Sequence, residues 1–423
     1  MDITGTSGGI EADNFNTDAP DTDRLGKNRT DGDAYNIGVI NIDSLDVEGL
    51  DTERFWADND LARSNNCFND GTKVSLGIVM NDECVYDELG VKTEHPWFVH
   101  NTDDMREWRR LYNDKAEKIV GRRILPEGQT PPGARFPYIK RIGEVFGGKY
   151  IWSDYSEWLT VGITADVSAD ARGYRELEKL LDKVEKMNYR DFMLPPDWEA
   201  EKKRIYETYG VKPPLMRHIR GPVTLACSIL GSEELIYLIA DEPDLARRFS
   251  DAIAFATLEM ARVTDEEAGE TPAGAPGFSF ADDNCCLLSP EMYELFGYPI
   301  LKTVFSRYSL LPEHERYQHS DSDMGHLLPA LGRLNLTGVN FGPNVLTPEI
   351  RKYLPRARID GCIAPFAFSR NDRGELYRQT RRDCADGLKY GGVNIATAGS
   401  INYGSSLASL RLIMAVINEF GRA

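Results

Sequence analysis

A repeated alternation of strand-like and helix-like segments between residues 214 and 421 is the feature that most limits what this chain can fold into. Short apolar stretches such as FSFA, GVNFG and GVNIA are each followed by a segment long enough for a helix. Consecutive β and α units of this length favour a parallel sheet covered by helices. Their number fits a closed barrel better than an open sheet. The predicted fold class is therefore α/β, a single (β/α)8 TIM-type barrel with an N-terminal extension and an insertion.

Local patterns place several individual elements. We expect a strand over 73–80 and a helix over 103–119, in which acidic residues precede basic ones and so complement the helix dipole. Another helix is predicted over 195–210, with Gly210 as its C-terminal stop. Two longer helices are expected over 232–267 and over 289–308.

The domain organisation follows from changes in composition along the chain. Residues 1–35 are rich in Asp, Asn, Thr and Gly, which predicts a flexible tail; the alternative is an arm around a partner subunit, which would fit a homodimer. Residues 36–423 are predicted to form the barrel. Within them, 125–210 lack a clear pattern and are expected to be an insertion or an elaborated region.

Composition and charge exclude several classes of protein. The 423 residues are 41% hydrophobic, enough for a large core, and no apolar run is long enough for a transmembrane helix. The net charge of −18 disfavours nucleic acid and anionic membranes as partners. The N-terminus does not resemble a secretory signal, so we expect a cytoplasmic protein. Seven cysteines without a C-x-x-C pair argue against a disulfide framework or a four-cysteine zinc site.

Polar residues follow several predicted strands, where a barrel carries its chemistry. The four clusters are Arg217-His218-Ile219-Arg220, Ala281-Asp282-Asp283-Asn284, His319-Ser320-Asp321-Ser322-Asp323 and Ala398-Gly399-Ser400.

The chemistry of these clusters has alternatives. Asp282 and Asp283 are adjacent carboxylates that repel each other unless a cation is near, although a helix cap would explain one of them. His319 with nearby acids suits a divalent metal or an acid–base pair, or is a hydrogen-bonded loop histidine. The cluster at 217–220 would bind an anionic substrate or neutralise the acidic clusters.

At this point the sequence resembles the uroporphyrinogen decarboxylase superfamily. The segments that carry the resemblance are YDELGVKTEHPWFVHNTDDMREW (86–108), GPVTLACSILG (221–231), DEPDLARRF (241–249), FADDNCCLLSPEMYELFGYPI (280–300), QHSDSDMGHLLPAL (318–331) and ATAGSINYGSSLASLRLIMAVINEFG (396–421). The resemblance implies either decarboxylation of a tetrapyrrole without cofactor or methyl transfer involving corrinoid proteins.

Departures from the family's motifs narrow this choice. Ser228 and Ser400 stand where the decarboxylases carry a tyrosine and a histidine, which argues against true decarboxylation. The thiol-directed methyltransferases bind zinc through His-x-Cys and a late Cys, where this chain has His319, Asp321 and Ser400. The resemblance therefore fits best the O-demethylases of methoxylated aromatic compounds, which transfer an ether methyl group to a separate corrinoid protein.

The resemblance implies a set of site residues for that function. The catalytic residues expected are Asp282, Asp283, His319 and Asp321. The metal, zinc by preference, is expected on Asp282, His319 and Asp321. The substrate-binding residues expected are Arg217, His218, Arg220, Asn284 and Ser400. A corrinoid on a partner protein and a small methyl donor complete the expectation. A lyase acting on a tetrapyrrole or other polycarboxylate is the alternative, and a scaffold that merely keeps the barrel is a third.

Overall fold

The computed structural model describes residues 42–68, 73–91, 103–128, 131–152, 157–160, 174–401 and 403–422. The segment 1–35, predicted as a tail or an arm, and the predicted barrel start at residue 36 lie outside these residues. The strands assigned within the described residues are β1 Val74–Leu76, β2 Lys149–Trp152, β3 Glu157–Thr160, β4 His218–Arg220, β5 Phe278–Ala281, β6 Arg316–Ser320, β7 Gly338–Phe341, β8 Arg358–Asp360 and β9 Val393–Ile395.

Seven of these strands form one sheet in which every pair is parallel. The order is β1-β9-β8-β7-β6-β5-β4, so β4 to β9 follow one another in space as in sequence and β9 returns to β1. This is the arrangement of a TIM-type barrel, and the predicted α/β class is confirmed. Among the described residues, the outer edges of β1 and β4 have no partner strand, and β2 pairs with β3 in a separate antiparallel sheet.

Helices cover the outside of the sheet and connect its strands. Before β4 they are α1 Thr52–Arg63, α2 Asp82–Leu89, α3 Asp103–Val120, α4 Ile142–Val145, α5 Arg175–Glu185, α6 Tyr189–Met193 and α7 Trp198–Tyr209. After β4 they are α8 Pro222–Leu230, α9 Ser232–Asp241, α10 Pro243–Ala268, α11 Pro290–Leu295, α12 Gly297–Tyr308, α13 Leu328–Gly332, α14 Thr347–Tyr353, α15 Pro365–Ser369, α16 Arg373–Tyr390 and α17 Leu407–Phe420. Short 3-10 turns lie at Ile42–Ser44, Pro132–Ala134, Asp283–Leu287 and Gly325–Leu327.

Both long helices predicted from the sequence are broken. The helix expected over 232–267 divides into α9 and α10 at Glu242, whose φ of −130° and ψ of 61° leave the helical region. Pro243 causes this break, because it has no N–H and restricts the residue before it. The helix expected over 289–308 divides into α11 and α12 at Phe296, so each predicted helix was too long.

Aromatic side chains fill the layer between the sheet and α12. Phe278 and Phe280 of β5 are fully buried, and their rings lie 5.0 Å apart. Phe280 contacts Phe305 and Phe278 contacts Tyr308, both at 5.5 Å. Because successive side chains of a strand point to opposite faces, Ser279 and Ala281 face the interior of the barrel.

The interior of the barrel is polar. Asp360 accepts hydrogen bonds from the side chains of Arg358, Tyr317 and Asn394 at 2.7–2.9 Å. Ser75 donates to Asn394 at 2.6 Å. Most barrels of this type fill this space with branched apolar side chains. In this protein, hydrogen-bonded polar side chains fill the space inside the barrel below the carboxyl ends of the strands.

The region 125–210 is attached to the barrel through α10. Glu267, whose side chain is only 4% exposed, accepts hydrogen bonds at 2.6 Å from Trp198 Nε1 and Lys202 Nζ, and it also pairs with Arg190. Arg248 of the same helix contacts Asp182 and Glu185 of α5. These contacts fix α5 to α7 on the outer surface of α10.

No single helix in the described part of the chain is long and apolar enough to cross a membrane. Only α8 and α9 taken together, bent by 101°, meet the length and composition test.

Candidate functional site

Three potential metal ligands meet at the carboxyl ends of β5 and β6. One ligand atom each from Asp283, His319 and Asp321 lies within 4.8 Å of the others. His319 Nε2 lies 2.7 Å from Asp321 Oδ1, and the Asp321 amide donates to Asp283 Oδ1 at 2.7 Å. We call these three residues the Asp-His-Asp trio. Asp283 and His319 are partly buried and Asp321 is exposed, so the trio opens to solvent.

The sheet register explains why the trio forms. Ala281 of β5 lies beside His319 of β6, and the Asp282 amide donates to the His319 carbonyl at 2.9 Å. Asp283 begins the 3-10 turn after β5, and its carbonyl accepts from Ser322 Oγ at 2.6 Å. Two adjacent strands that end at the same level therefore bring their following residues into contact.

Asn340 of β7 and Gly399, in the loop after β9, contact the trio and each other. Asn340, at the end of β7, accepts the Gly399 amide at 3.1 Å and donates to the Thr397 carbonyl at 2.9 Å. Gly399 has a φ of +109°, and a Cβ at this position would stand 2.5 Å from Asp321 Oδ1. Only glycine combines this backbone with so close an approach. Asn340 had no predicted role, although a polar side chain in the middle of the strand-like segment GVNFG is a usable signal.

Burial and neighbouring charges have opposite effects on the pKa of His319. Burial disfavours the charged ring, but the hydrogen bond and the charge of Asp321, the charge of Asp283 and a hydrogen bond with Asn340 raise the pKa of His319 above its usual value. The site therefore favours a positive charge at this place, whether on the imidazole or on a bound cation.

Asp282 has a different environment from Asp283. Its carboxylate is fully buried and accepts the amides of Thr224 at 2.7 Å and Val223 at 3.4 Å, at the N-terminus of α8. Burial raises the pKa of Asp282 to about 6, against the lowering effect of these hydrogen bonds. A Cβ at Gly221 would stand 2.1 Å from the Asp282 Cβ. Of the metal set expected from the sequence, Asp282 with His319 and Asp321, the structure brings His319 and Asp321 together with Asp283 instead, while the Asp282 carboxylate binds the N-terminus of α8.

Arg217 also lies away from the trio. It precedes β4, at the opposite end of the strand, where its guanidinium pairs with Asp265 at 2.7 Å and donates to the Ala275 carbonyl at 2.8 Å. Its guanidinium carbon stands 4.0 Å from the centre of the Tyr308 ring. These partners hold Arg217 in the wall of the barrel, so the structure does not bring it together with the other predicted site residues.

His218 and Arg220 face the interior of the barrel, two residues apart on β4. His218 Nδ1 lies 2.7 Å from Ser279 Oγ, and burial together with the charge of His319 lowers the pKa of His218. Arg220 lies beside Ala281, which in turn lies beside His319. His218 is therefore close to His319, and Arg220 lies at the same level two strands away from it.

The two remaining candidates lie at the carboxyl face. The Asn284 amide donates to Thr224 Oγ1 at 3.0 Å, which ties the turn after β5 to α8. Ser400 is exposed and follows Gly399 directly. Their binding of substrate stays a prediction.

Comparison with known proteins now decides the family. The family model described as uroporphyrinogen decarboxylase (URO-D) matches residues 180–420, more than half of the chain. The chain belongs to the uroporphyrinogen decarboxylase family. The match includes every member of the trio, and the resemblance seen in the sequence is confirmed.

A solved structure of this fold is a methyltransferase from Methanosarcina mazei. It is 17% identical to this chain, with a TM-score of 0.51, and the alignment covers 83% of this chain and 95% of that chain. At this identity the likeness shows the fold alone. No curated protein matches the chain at a significant level.

Proposed function

We propose that this family member is a methyltransferase that moves the methyl group of a methoxylated aromatic compound to the Co(I) of a corrinoid carried by a separate protein. The observation that carries the proposal is the Asp-His-Asp trio at the carboxyl end of the barrel. The trio contains no thiolate, which makes it unsuited to activating a thiol. Oxygen and nitrogen donors suit an ion that binds and polarises an ether oxygen.

The donor set fits a divalent cation. Imidazole nitrogen and carboxylate oxygen are ligands that Zn²⁺ accepts, and three protein donors leave one position for substrate. Asp283, His319 and Asp321 would hold the ion, and zinc is the metal we propose. When bound, the ion supplies a Lewis acid at the ether oxygen.

The residues of the chain hold the reacting groups in place. Breaking the methyl–oxygen bond leaves a phenolate, whose charge requires a nearby cation or a proton. Asp321 and Asn340 fix the His319 ring, and Asp283 is fixed by the Asp321 amide. Co(I) would supply both electrons of the new bond to the methyl group. The electrons of the broken methyl–oxygen bond therefore remain on the phenolate oxygen. The mouth above the trio must therefore be open to the partner's corrinoid.

A carboxy-lyase of the family's decarboxylase type is the second candidate. The observation that favours it is Arg220 of β4, a cation that lines a cavity of about 200 Å³ and would pair with a carboxylate of the substrate. This reaction requires neither a metal nor a corrinoid, which makes the two functions separable by experiment.

The test compares both activities on the same purified protein. Methoxylated benzoates with reduced corrinoid should give the demethylated phenol, and this product should disappear in Asp283→Asn. Release of carbon dioxide from a porphyrinogen without corrinoid, with no phenol from any methoxybenzoate, would replace the proposal with the lyase.

A further inference from the structure

Asn340 is a buried amide inside the barrel, next to the histidine of the trio. It is only 6% exposed, and it occupies the same level on β7 as His319 on β6. Adjacent strands are about 4.8 Å apart, and residues at one level present their side chains to the same face of the sheet. A buried amide in such a place requires hydrogen-bond partners for its nitrogen and its oxygen.

The partners of Asn340 determine which way its amide faces. Nδ2 donates to the carbonyl of Asp360 and to the carbonyl of Thr397, the latter at 2.9 Å, so both of its hydrogens are used. Oδ1 accepts the Gly399 amide at 3.1 Å. A flipped amide would place its oxygen against two carbonyls and its nitrogen against an N–H group, so only the described orientation satisfies all three bonds. One lone pair of Oδ1 is left for a further donor.

The ring of His319 presents its two nitrogens to different neighbours. Nε2 lies 2.7 Å from Asp321 Oδ1 and so faces another member of the trio. Nδ1 is the nitrogen nearer to the β6 backbone, which brings it within reach of a short side chain at the same level on β7. A hydrogen bond with the Asn340 side chain contributes to the raised pKa of His319, as expected where the amide oxygen accepts from the ring.

We propose that Asn340 is a positioning residue that accepts a hydrogen bond from His319 Nδ1 and thereby makes Nε2 the nitrogen that binds the metal. The inference rests on the metal site of the methyltransferase proposed above and names the ligand atom of its histidine. A metal-binding imidazole commonly donates the proton of its second nitrogen to a fixed acceptor, which sets the tautomer and the direction of the ring. An uncharged amide supplies this acceptor without adding negative charge to the two aspartates of the trio.

The same oxygen joins the histidine to the loop after β9. Oδ1 of Asn340 is shared by the Gly399 amide and, in this proposal, by the Nδ1–H group of His319. Gly399 in turn lies against Asp321, since a Cβ at this glycine would stand 2.5 Å from the aspartate Oδ1. One buried oxygen therefore holds the ligand ring together with the loop that packs against a second ligand.

Nitrogen NMR on the unaltered sequence tests the tautomer directly. The chain has six histidines, and long-range ¹H–¹⁵N correlation spectra of the full chain with ¹⁵N-labelled histidine rings distinguish a protonated nitrogen from one that binds Zn²⁺. The signals that are missing from His319→Gln identify the ring of interest. With Zn²⁺ added, we expect a proton on Nδ1 of His319 and none on Nε2. A proton on Nε2 would overturn the inference.

Two substitutions of Asn340 separate its acceptor oxygen from the rest of the side chain. Asn340→Leu removes the acceptor at similar volume, whereas Asn340→Asp keeps an oxygen acceptor, and both lose the two bonds from Nδ2. By competition with a chelating dye, Asn340→Leu should lower the Zn²⁺ affinity by about tenfold or more and Asn340→Asp clearly less. Asn59→Leu is the matched control, because Asn59 is also fully buried and accepts the Leu76 amide at 2.7 Å, outside the trio. It should lower stability and leave the affinity unchanged.

The outcomes distinguish this inference from the methyltransferase itself. Wild-type affinity in Asn340→Leu, or equal losses in both variants, would overturn the positioning role. Urea titration shows whether each variant is folded, and if neither folds, the tautomer in the wild-type chain decides. Methyl transfer by a protein whose His319 carries its proton on Nε2 would keep the proposed function and reject this inference. Zn²⁺ bound with the expected tautomer, but no methyl transfer from any donor, would reject the proposed function and keep the inference.

Discussion

Gly399 and Asp321 approach so closely that a Cβ on the glycine would stand 2.5 Å from the aspartate Oδ1. Gly399 also adopts a φ of +109°, which other residues rarely tolerate. The loop after β9 and the end of β6 are therefore packed against each other at the candidate metal site, and a side chain at 399 would move Asp321.

Gly399→Ala should weaken metal binding more than it weakens the fold. The added methyl group displaces the Asp321 carboxylate, so we expect the Zn²⁺ affinity to fall by about tenfold or more. Competition with a chromogenic chelator measures the affinity. Gly374→Ala is the control, because its Cβ would approach only Asp372 Oδ1, at 3.6 Å. Equal affinities for both variants would show that the loop does not position Asp321.

The amount of metal bound should depend on Asp283 and not on Asp323, an exposed aspartate that follows β6. Elemental analysis after dialysis against Zn²⁺ should find about one ion per wild-type chain. Asp283→Asn and His319→Ala should lose most of it, since each removes one of three ligands. Asp323→Asn, an exposed aspartate two residues beyond Asp321, should retain it. Full retention by Asp283→Asn would reject the trio as the site.

Asp282→Ala should lower stability. The substitution leaves the Thr224 and Val223 amides at the start of α8 without their acceptor, in a fully buried place. We expect a loss of about 1–3 kcal/mol in the free energy of unfolding. Urea titration measures it, with Asp323→Asn again as the control. A loss no greater than that of the control would contradict the structural role of Asp282.

Glu267 should make the stability depend on pH. Burial alone would raise its pKa, but hydrogen bonds from Lys202, Trp198 and Arg190 lower it below the usual value. A carboxyl whose pKa is lower in the folded state stabilises the fold above the unfolded pKa of about 4.3, and this contribution is lost as the pH falls through the folded pKa. Glu267→Gln should therefore cost about 2 kcal/mol at pH 7 and clearly less at pH 3.5. Urea midpoints at the two pH values check this, and an equal loss at both would exclude a charge effect.

Sequence patterns predicted the fold better than the site. The alternation of strands and helices was sufficient to predict the barrel class, because the hydrophobic periodicity and the turn residues that reveal each element lie within that element's own sequence. The break at Glu242 was missed, although Pro243 marks it, because the apolar periodicity continues through it. Asp282 and Asp283 could not be distinguished from the sequence. The turn after β5 sets the direction in which each carboxylate points, and local sequence patterns do not specify that turn.

The same limit applies to the arginines at β4. Arg217 and Arg220 stand in one sequence cluster and look equivalent there. Only the fold shows that Arg217 pairs with Asp265, a residue 48 positions later on α10, and that Arg220 lines a cavity. Partners supplied by distant elements cannot be inferred from local pattern.

The most direct test of methyl transfer is the visible spectrum of cob(I)alamin mixed with the Zn²⁺-loaded protein and methoxybenzoates, without oxygen. We expect conversion to the methyl-Co(III) spectrum with wild type, and little conversion with Asp283→Asn or after removal of the metal by a chelator. An unchanged Co(I) spectrum with every donor, even when a corrinoid protein replaces free cobalamin, would contradict the central claim.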